Sequence, residues 1–180
     1  FTSKDISLVK QFKQCLGIEN KIGKKTRCKE EIKKYYQVQF GDVNFYRFLL
    51  KIGLSPAKTK IISQLKIPKI YFFDFLRGHL DGDGTFYSYW DPRWKSSFMF
   101  YTVFISASKA HIEWIRSTLL KLLNIKGHIT NDSNKTVYQL KYAKIESLKL
   151  LPKMYYSNEI VCLFRKLNKI QNAMRTELIH

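Results

Sequence analysis

The chain repeats itself, and that limits its possible folds more than any other feature. "YYQVQFGDVNFYRFLLKIGLS" at 35–55 aligns without a gap on "VYQLKYAKIESLKLLPKMYYS" at 137–157. The alignment pairs Tyr36 with Tyr138, Gln37 with Gln139, Val43 with Ile145, Leu49 with Leu151, Lys51 with Lys153 and Ser55 with Ser157. Upstream, "SKDISLVKQFKQCLGI" (3–18) matches "SKAHIEWIRSTLLKLLNI" (108–125) with a two-residue insertion. Order, spacing and polar identities agree, so two copies of one supersecondary unit are expected.

Periodicity describes that unit. Ile6, Val9, Phe12 and Leu16 recur on one helical face of 3–18. "KYYQVQF" (34–40) alternates as a strand, and 42–53 returns to helix with Gly53 at its end. Residues 55–69 read as a short basic helix and a linker, with Ile67-Pro68 an extended joint. Each repeat is therefore helix, one or two strands, helix.

The copies differ at their fronts. Before the second stands "YFFDFLRGHLDGDGTFYSYWDPRWKSSFMFYTVFIS" (71–106): a helix, a glycine-rich motif and a strand hairpin, with nothing comparable before Phe1. The expected organisation is 1–62, a first repeat lacking its N-terminal helix and hairpin; 63–70, a linker; and 71–180, a complete second repeat. A full duplication implies a missing segment that carries a partner for the motif helix.

The end of that helix is badly made by ordinary rules. An interior Gly costs about 1 kcal/mol against Ala, and Asp81 and Asp83 meet the negative end of the helix dipole, unfavourable by roughly 0.3–1 kcal/mol. A calcium loop starting at Asp81 needs acids where Thr85 and Pro92 stand, and a strand rather than a helix follows. A plain Asp-Gly turn leaves Gly78 unexplained. Gly78 and Gly82 share one helical face, where glycine allows another backbone to approach closely. A partner helix, with a divalent cation shared between acids at the two helix ends, resolves the conflict. Hard oxygen ligands with open water positions suit Mg²⁺.

Charge points to the partner. Lys and Arg number 32 against 14 Asp and Glu, a net +18 spread along the chain. A folded body so basic calls for a polyanion, with nucleic acid ahead of an anionic membrane surface. No apolar run approaches a membrane span and no signal-peptide layout opens the chain. Cys15, Cys28 and Cys162 form neither a disulfide framework nor a zinc pattern. The expected location is intracellular, cytoplasm or organelle, and not secreted.

Leu76-Arg77-Gly78-His79-Leu80-Asp81-Gly82-Asp83-Gly84 resembles the nine-residue signature of the LAGLIDADG homing endonucleases. It departs at Arg77 and His79, with substitutions also at Leu80 and Gly82. The Pro68 approach, the aromatic strands after the motif, "YYSNEIVCLFRKL" (155–167) and the duplication match the same family, so the resemblance extends over essentially the whole chain. It implies an α+β fold of two αββαββα units packed through their motif helices, whose antiparallel sheets form a saddle on the DNA major groove. It implies metal-dependent, site-specific double-strand cleavage of a long asymmetric target. Asp83 would bind Mg²⁺ with the carbonyl of Gly82, Mn²⁺ or Ca²⁺ substituting for binding, and Asp81 would be a structural acid. Lys51 and Lys153, or Lys58, are the candidate basic residues near the centre.

Alternation assigns the strand faces. Tyr36, Val38, Tyr138 and Leu140 face the helices, leaving Gln37, Gln39, Gln139 and Lys141 toward the groove, where amide and ammonium groups read base edges. Thr85, Tyr87 and Tyr89 point the same way and Phe86 inward, whereas 98–106 is apolar on both faces and unassigned. Lys24, Lys25 and Arg27 form a loop suited to phosphate. His79 is a packing residue or a general base; His111, His128 and His180 show no ligand spacing. One motif supplies one acid, so the second motif helix comes from a missing N-terminal segment or a second chain. Otherwise the protein binds DNA or RNA without cutting, as maturase-like or degenerate relatives do. A scaffold for an acidic protein is the remaining class.

Overall fold

The computed structural model describes residues 1–26, 35–94, 96–131, 137–157 and 159–179. The described residues form two antiparallel sheets and six α-helices. The first half runs β1 (Thr2–Ser3), α1 (Ile6–Leu16), β2 (Gly23–Lys25), β3 (Tyr35–Gln37) and α2 (Val43–Ile52). The second runs α3 (Phe72–Gly82), β4 (Thr85–Trp90), β5 (Phe98–Ser106), α4 (Lys109–Leu123), β6 (His128–Asn131), β7 (Tyr138–Tyr142), α5 (Lys144–Met154) and α6 (Phe164–Ile179). Between them, the basic helix expected in 55–69 is a single 3-10 turn at Lys58–Lys60.

Strand order is β1-β3-β2 in one sheet and β4-β5-β7-β6 in the other. Registers make the correspondence concrete. Ser3 pairs Tyr36 as Ser106 pairs Tyr138, and Gly23 pairs Gln37 as Thr130 pairs Gln139. Ser3 therefore matches Ser106 rather than Ser108. The length difference sits inside the helix: α1 has 11 residues and α4 has 15, about one extra turn in place of the two-residue insertion the alignment suggested. Asp5 and Ser108 cap the two helix starts, and left-handed Gly17 and Asn124 end them.

The second half holds the main core. Phe72, Leu76 and Leu80 of α3 meet Phe86, Phe100, Phe104 and Leu140 from the sheet. Ile112, Ile115 and Leu119 of α4, Leu150, Leu151 and Met154 of α5, and Ile170 of α6 complete it. Each such burial is worth about 1.5–3 kcal/mol. The first half is thinner: α2 buries no residue, and Val43 (64%) and Phe48 (54%) stand exposed. Its corresponding helix α5 buries Leu150, Leu151 and Met154, because α3 packs beside it. Among the described residues, polar contacts reach the second half from the first and from the segment after α2. Ser108 Oγ donates to the Ile62 carbonyl, the His111 ring nitrogen Nδ1 lies 2.8 Å from the Ser63 carbonyl, Gln11 donates to the Cys162 carbonyl at 2.8 Å, and Arg165 lies 3.5 Å from Asp5. Among the described residues no helix is long and apolar enough to cross a membrane.

Candidate nucleic-acid interface and metal-binding helix end

Both departures of the motif from the family signature have local explanations. Arg77 is buried; it pairs with Asp74 at 2.7 Å and donates to the carbonyls of Met154 (2.8 Å) and Val161 (2.9 Å). It thus ties α3 to the C-terminal end of α5, where a cation is favoured. His79 lies among Phe75, Phe104 and His111, with ring centroids 5.5–6.0 Å away. Burial, reinforced by His111, pulls its pKa down to about 4, and its buried Nδ1 has no partner among the described residues. It packs as a ring among these neighbours.

The C-terminal end of α3 is stabilised from within the chain. Lys166 of α6 is 7% exposed, and its ammonium donates to the carbonyls of Leu80, Asp81 (3.0 Å) and Gly84 (2.7 Å). These include carbonyls that a helix end leaves without partners. Asp81 is 4% exposed and accepts from Tyr155 Oη at 3.0 Å and from the Leu163 N–H at 2.8 Å. Burial raises its pKa against the lowering effect of those bonds and of Lys166, and burial lowers that of Lys166 against the pull of Asp81. Where the sequence called for a metal and a second helix, an internal lysine answers for the dipole and for Asp81. Lys166 escaped the sequence reading, although a signal was there: it falls on the apolar stripe Leu163, Leu167, Ile170, Ala173.

Asp83 makes no side-chain hydrogen bond in this network, though its charge acts on Lys166 and His79. It is exposed, caps the helix through its N–H to the His79 carbonyl at 3.1 Å, and edges a cavity of about 510 Å³. Gly78, His79, Lys58, Leu54 and Ile62 also line that cavity, so the structure brings Asp83 and Lys58 to one space. Lys51 and Lys153 lie exposed in the last turns of α2 and α5 and make no polar contact with Asp83 among the described residues. A Cβ built on Gly78 or Gly82 would meet nothing within 4 Å. The glycine face expected against a partner helix is open.

Asp83 and the Gly82 carbonyl are hard oxygen donors at an exposed corner, and among the described residues no three His, Cys, Asp or Glu cluster around an ion. Mg²⁺ commonly takes one or two carboxylates, with waters and substrate phosphate completing its shell.

The sheets give the second surface. In the four-stranded sheet Thr85 pairs Val103, Tyr87 pairs Tyr101, Tyr89 pairs Met99 and Ile105 pairs Gln139, all on the face away from the helices. Lys141 and His128 lie on that face too, while Phe86, Phe100 and Phe104 point into the core. Residues 98–106, ambiguous by periodicity, are thereby resolved. In the first sheet Val38 is fully buried, and Gln37 stands on the opposite face; Gln39 is exposed beyond the strand. Lys24 and Lys25 are in edge strand β2 rather than a loop. Lys24 shares the face of Tyr36 and Lys25 that of Tyr35. Arg27 lies outside the described residues.

The helix–hairpin–helix–hairpin–helix unit, with its motif helix beside an antiparallel sheet, defines the homing-endonuclease fold. No protein-family model matches the chain, and neither does any curated protein. Among solved structures the fold is similar to the meganuclease I-SmaMI bound to uncleavable DNA with a TTCT central four, at 14% identity over 96% of this chain and 78% of that one, TM-score 0.62. It is similar to I-SmaMI bound to uncleaved DNA in the presence of calcium ions, at 13% identity over 98% and 79%, TM-score 0.64. The I-SmaMI LAGLIDADG homing endonuclease bound to cleaved DNA gives 13% identity over 98% and 77%, TM-score 0.59. At such identity the likeness establishes the fold.

Proposed function

We propose that the chain is a site-specific, divalent-metal-dependent DNA endonuclease of the LAGLIDADG homing type. The observation that carries the reading is the split at the end of α3: Asp81 is buried and bonded, while Asp83 is exposed beside an open glycine face. The net +18 and the likeness to structures bound to DNA support double-stranded DNA as the partner. Asp83 and the Gly82 carbonyl would hold Mg²⁺. Bound there, a divalent ion supplies activation of water and stabilisation of the leaving oxygen. The chain's own part is to fix Asp83 at a rigid helix end through Lys166, and to place Lys58 across the cavity as a cation for phosphate. Residues 1–62 and 71–180 would be the two repeats, joined by 63–70. The open Gly78–Gly82 face and the exposed apolar side of α2 are where a second motif helix would pack. Gln37, Gln39, Thr85, Tyr87, Tyr89, Gln139 and Lys141 would meet base edges, with Lys24 and Lys25 toward phosphate.

One observation favours a second reading, sequence-specific binding without cleavage: the described residues supply a single motif acid and no metal cluster. Cleavage of a randomised long duplex library in Mg²⁺, with EDTA and Asp83→Asn as controls, separates the two. Cut sites that vanish in both controls support the nuclease. Selective retention without cutting, unchanged in Asp83→Asn, supports the binder; no selection at all sinks both.

A further inference from the structure

The outer face of the four-stranded sheet has a chemistry that the overall charge does not suggest. Among the described residues that stand on it, Lys141 is the one fixed charge; the middle is Tyr87, Tyr89, Met99, Tyr101, Ile105 and the buried Val103. Tyr87 and Tyr101 stack at 5.3 Å and 19°, Tyr89 and Tyr101 at 6.3 Å and 5°, and Tyr87 and Tyr89 at 6.5 Å and 14°. The rings stand side by side with their faces turned to one another, so what they present outward is edges and hydroxyls. Stacking of unpaired bases needs a free ring face, which this arrangement withholds. Tyr87 and Tyr89 are each 41% exposed, while Met99, Tyr101 and Ile105 are half-buried, so the patch opens along its β4 side.

We propose, resting on the DNA-binding reading above, that this sheet recognises an A·T-rich half-site of duplex DNA through thymine methyl groups. In the major groove, thymine differs from cytosine by its C5-methyl, which apolar side chains read, and adenine offers N6 and N7 to a glutamine amide. Met99, Ile105 and the tyrosine ring edges meet the first requirement. Gln139, paired with Ile105 across the strands, meets the second. The basic surface elsewhere neutralises phosphate without reading sequence, and the specificity of this half lies in the uncharged patch.

The test changes the DNA, so it does not depend on any variant folding. Duplexes selected by the 180-residue chain in Ca²⁺ are rebuilt with deoxyuridine in place of each thymine, which removes only the methyl, and affinities are measured by fluorescence anisotropy. At two or more thymines in one half of the site, binding is expected to weaken about fourfold each, the worth of one buried methyl. Met99→Ser is expected to abolish part of that dependence. Selected sites that are G·C-rich in both halves, or affinities indifferent to deoxyuridine, overturn the proposal and leave the DNA-binding reading standing. Preference for single strands, or no selection of any duplex, overturns both.

Discussion

Lys166→Met is the most direct probe of how the motif helix is held. The substitution keeps much of the aliphatic stem and removes an ammonium whose three N–H donors meet the carbonyls of Leu80, Asp81 and Gly84. Hydrogen bonds to a charged group contribute about 1.5–3 kcal/mol each net, and withdrawing one member of a buried charged set typically costs about 3–5 kcal/mol. Two effects offset this: Lys166 itself is desolvated, as its lowered pKa records, and Asp81 retains Tyr155 and Leu163. The expected net loss is about 3 kcal/mol, which lowers the Tm of a domain this size by roughly 6–12 °C. Urea unfolding followed by far-UV circular dichroism measures it. Lys166→Arg is expected to lose nearly as much, because a planar guanidinium fork does not match three carbonyls converging on one atom. A double-mutant cycle with Asp81→Asn is expected to give a coupling of about 1–2 kcal/mol. A loss below about 1 kcal/mol for Met, or full stability with Arg, refutes the capping argument.

Other substitutions test separate pieces of the reasoning. Tyr142→Phe deletes a buried hydroxyl that has no partner among the described residues and is expected to raise stability by about 1 kcal/mol in urea. Burial holds the Tyr142 phenol above its ordinary pKa of 10.0, so its neutral form contributes stability below about pH 10 that is lost as pH rises; unfolding at about pH 8 and about pH 10.5 should show a smaller alkaline loss in the Phe variant. Gly78→Ala fills open space on a helix and is expected to stabilise this chain by about 0.5–1 kcal/mol; a loss in thermal unfolding would show that the face is already packed. Gly127→Ala is expected to destabilise by about 2 kcal/mol or more, because the residue sits at φ +58° and its Cβ would fall 2.7 Å from the Tyr142 ring. Asp83→Asn is expected to leave the unfolding midpoint within about 0.5 kcal/mol of the parent, as an exposed group should, while abolishing cleavage.

How much could be read in the sequence varies with the kind of physics involved. The pairing of Tyr36 with Tyr138 and Gln37 with Gln139 was legible because they occupy equivalent register positions in two sheets, and register constrains spacing tightly. The extra turn in α4 was misread, because an amphipathic helix can absorb four residues without disturbing its apolar stripe. The face of β4 was legible from Phe86 alone. That of β5 was not, because a strand whose outer face carries Met99, Tyr101 and Ile105 looks apolar on both sides. Lys166 was hidden for another reason: its partners are backbone carbonyls more than eighty residues away in sequence, and no local pattern encodes those.

The geometry of D-x-D completes the account of the motif. Residues two apart on a helix point about 200° apart, so two acids at 81 and 83 cannot serve one surface. If 81 faces the core, 83 faces out. The core-facing acid needs donors and a nearby cation: Tyr155 and the Leu163 N–H donate to its carboxylate, and the Lys166 ammonium, held on backbone carbonyls, supplies the charge. Those contacts bind α6 and the 155–163 segment to the helix end and fix its position. The outward acid then needs nothing from the fold beyond a rigid place to stand, and it is left with its oxygens free for an external ligand. A helix terminus that looked costly in the sequence is thus two structures in one: an internal clamp at Asp81 and a presented carboxylate at Asp83. Removing the clamp should therefore impair anything Asp83 does, whereas removing Asp83 should leave the clamp's hydrogen bonds in place.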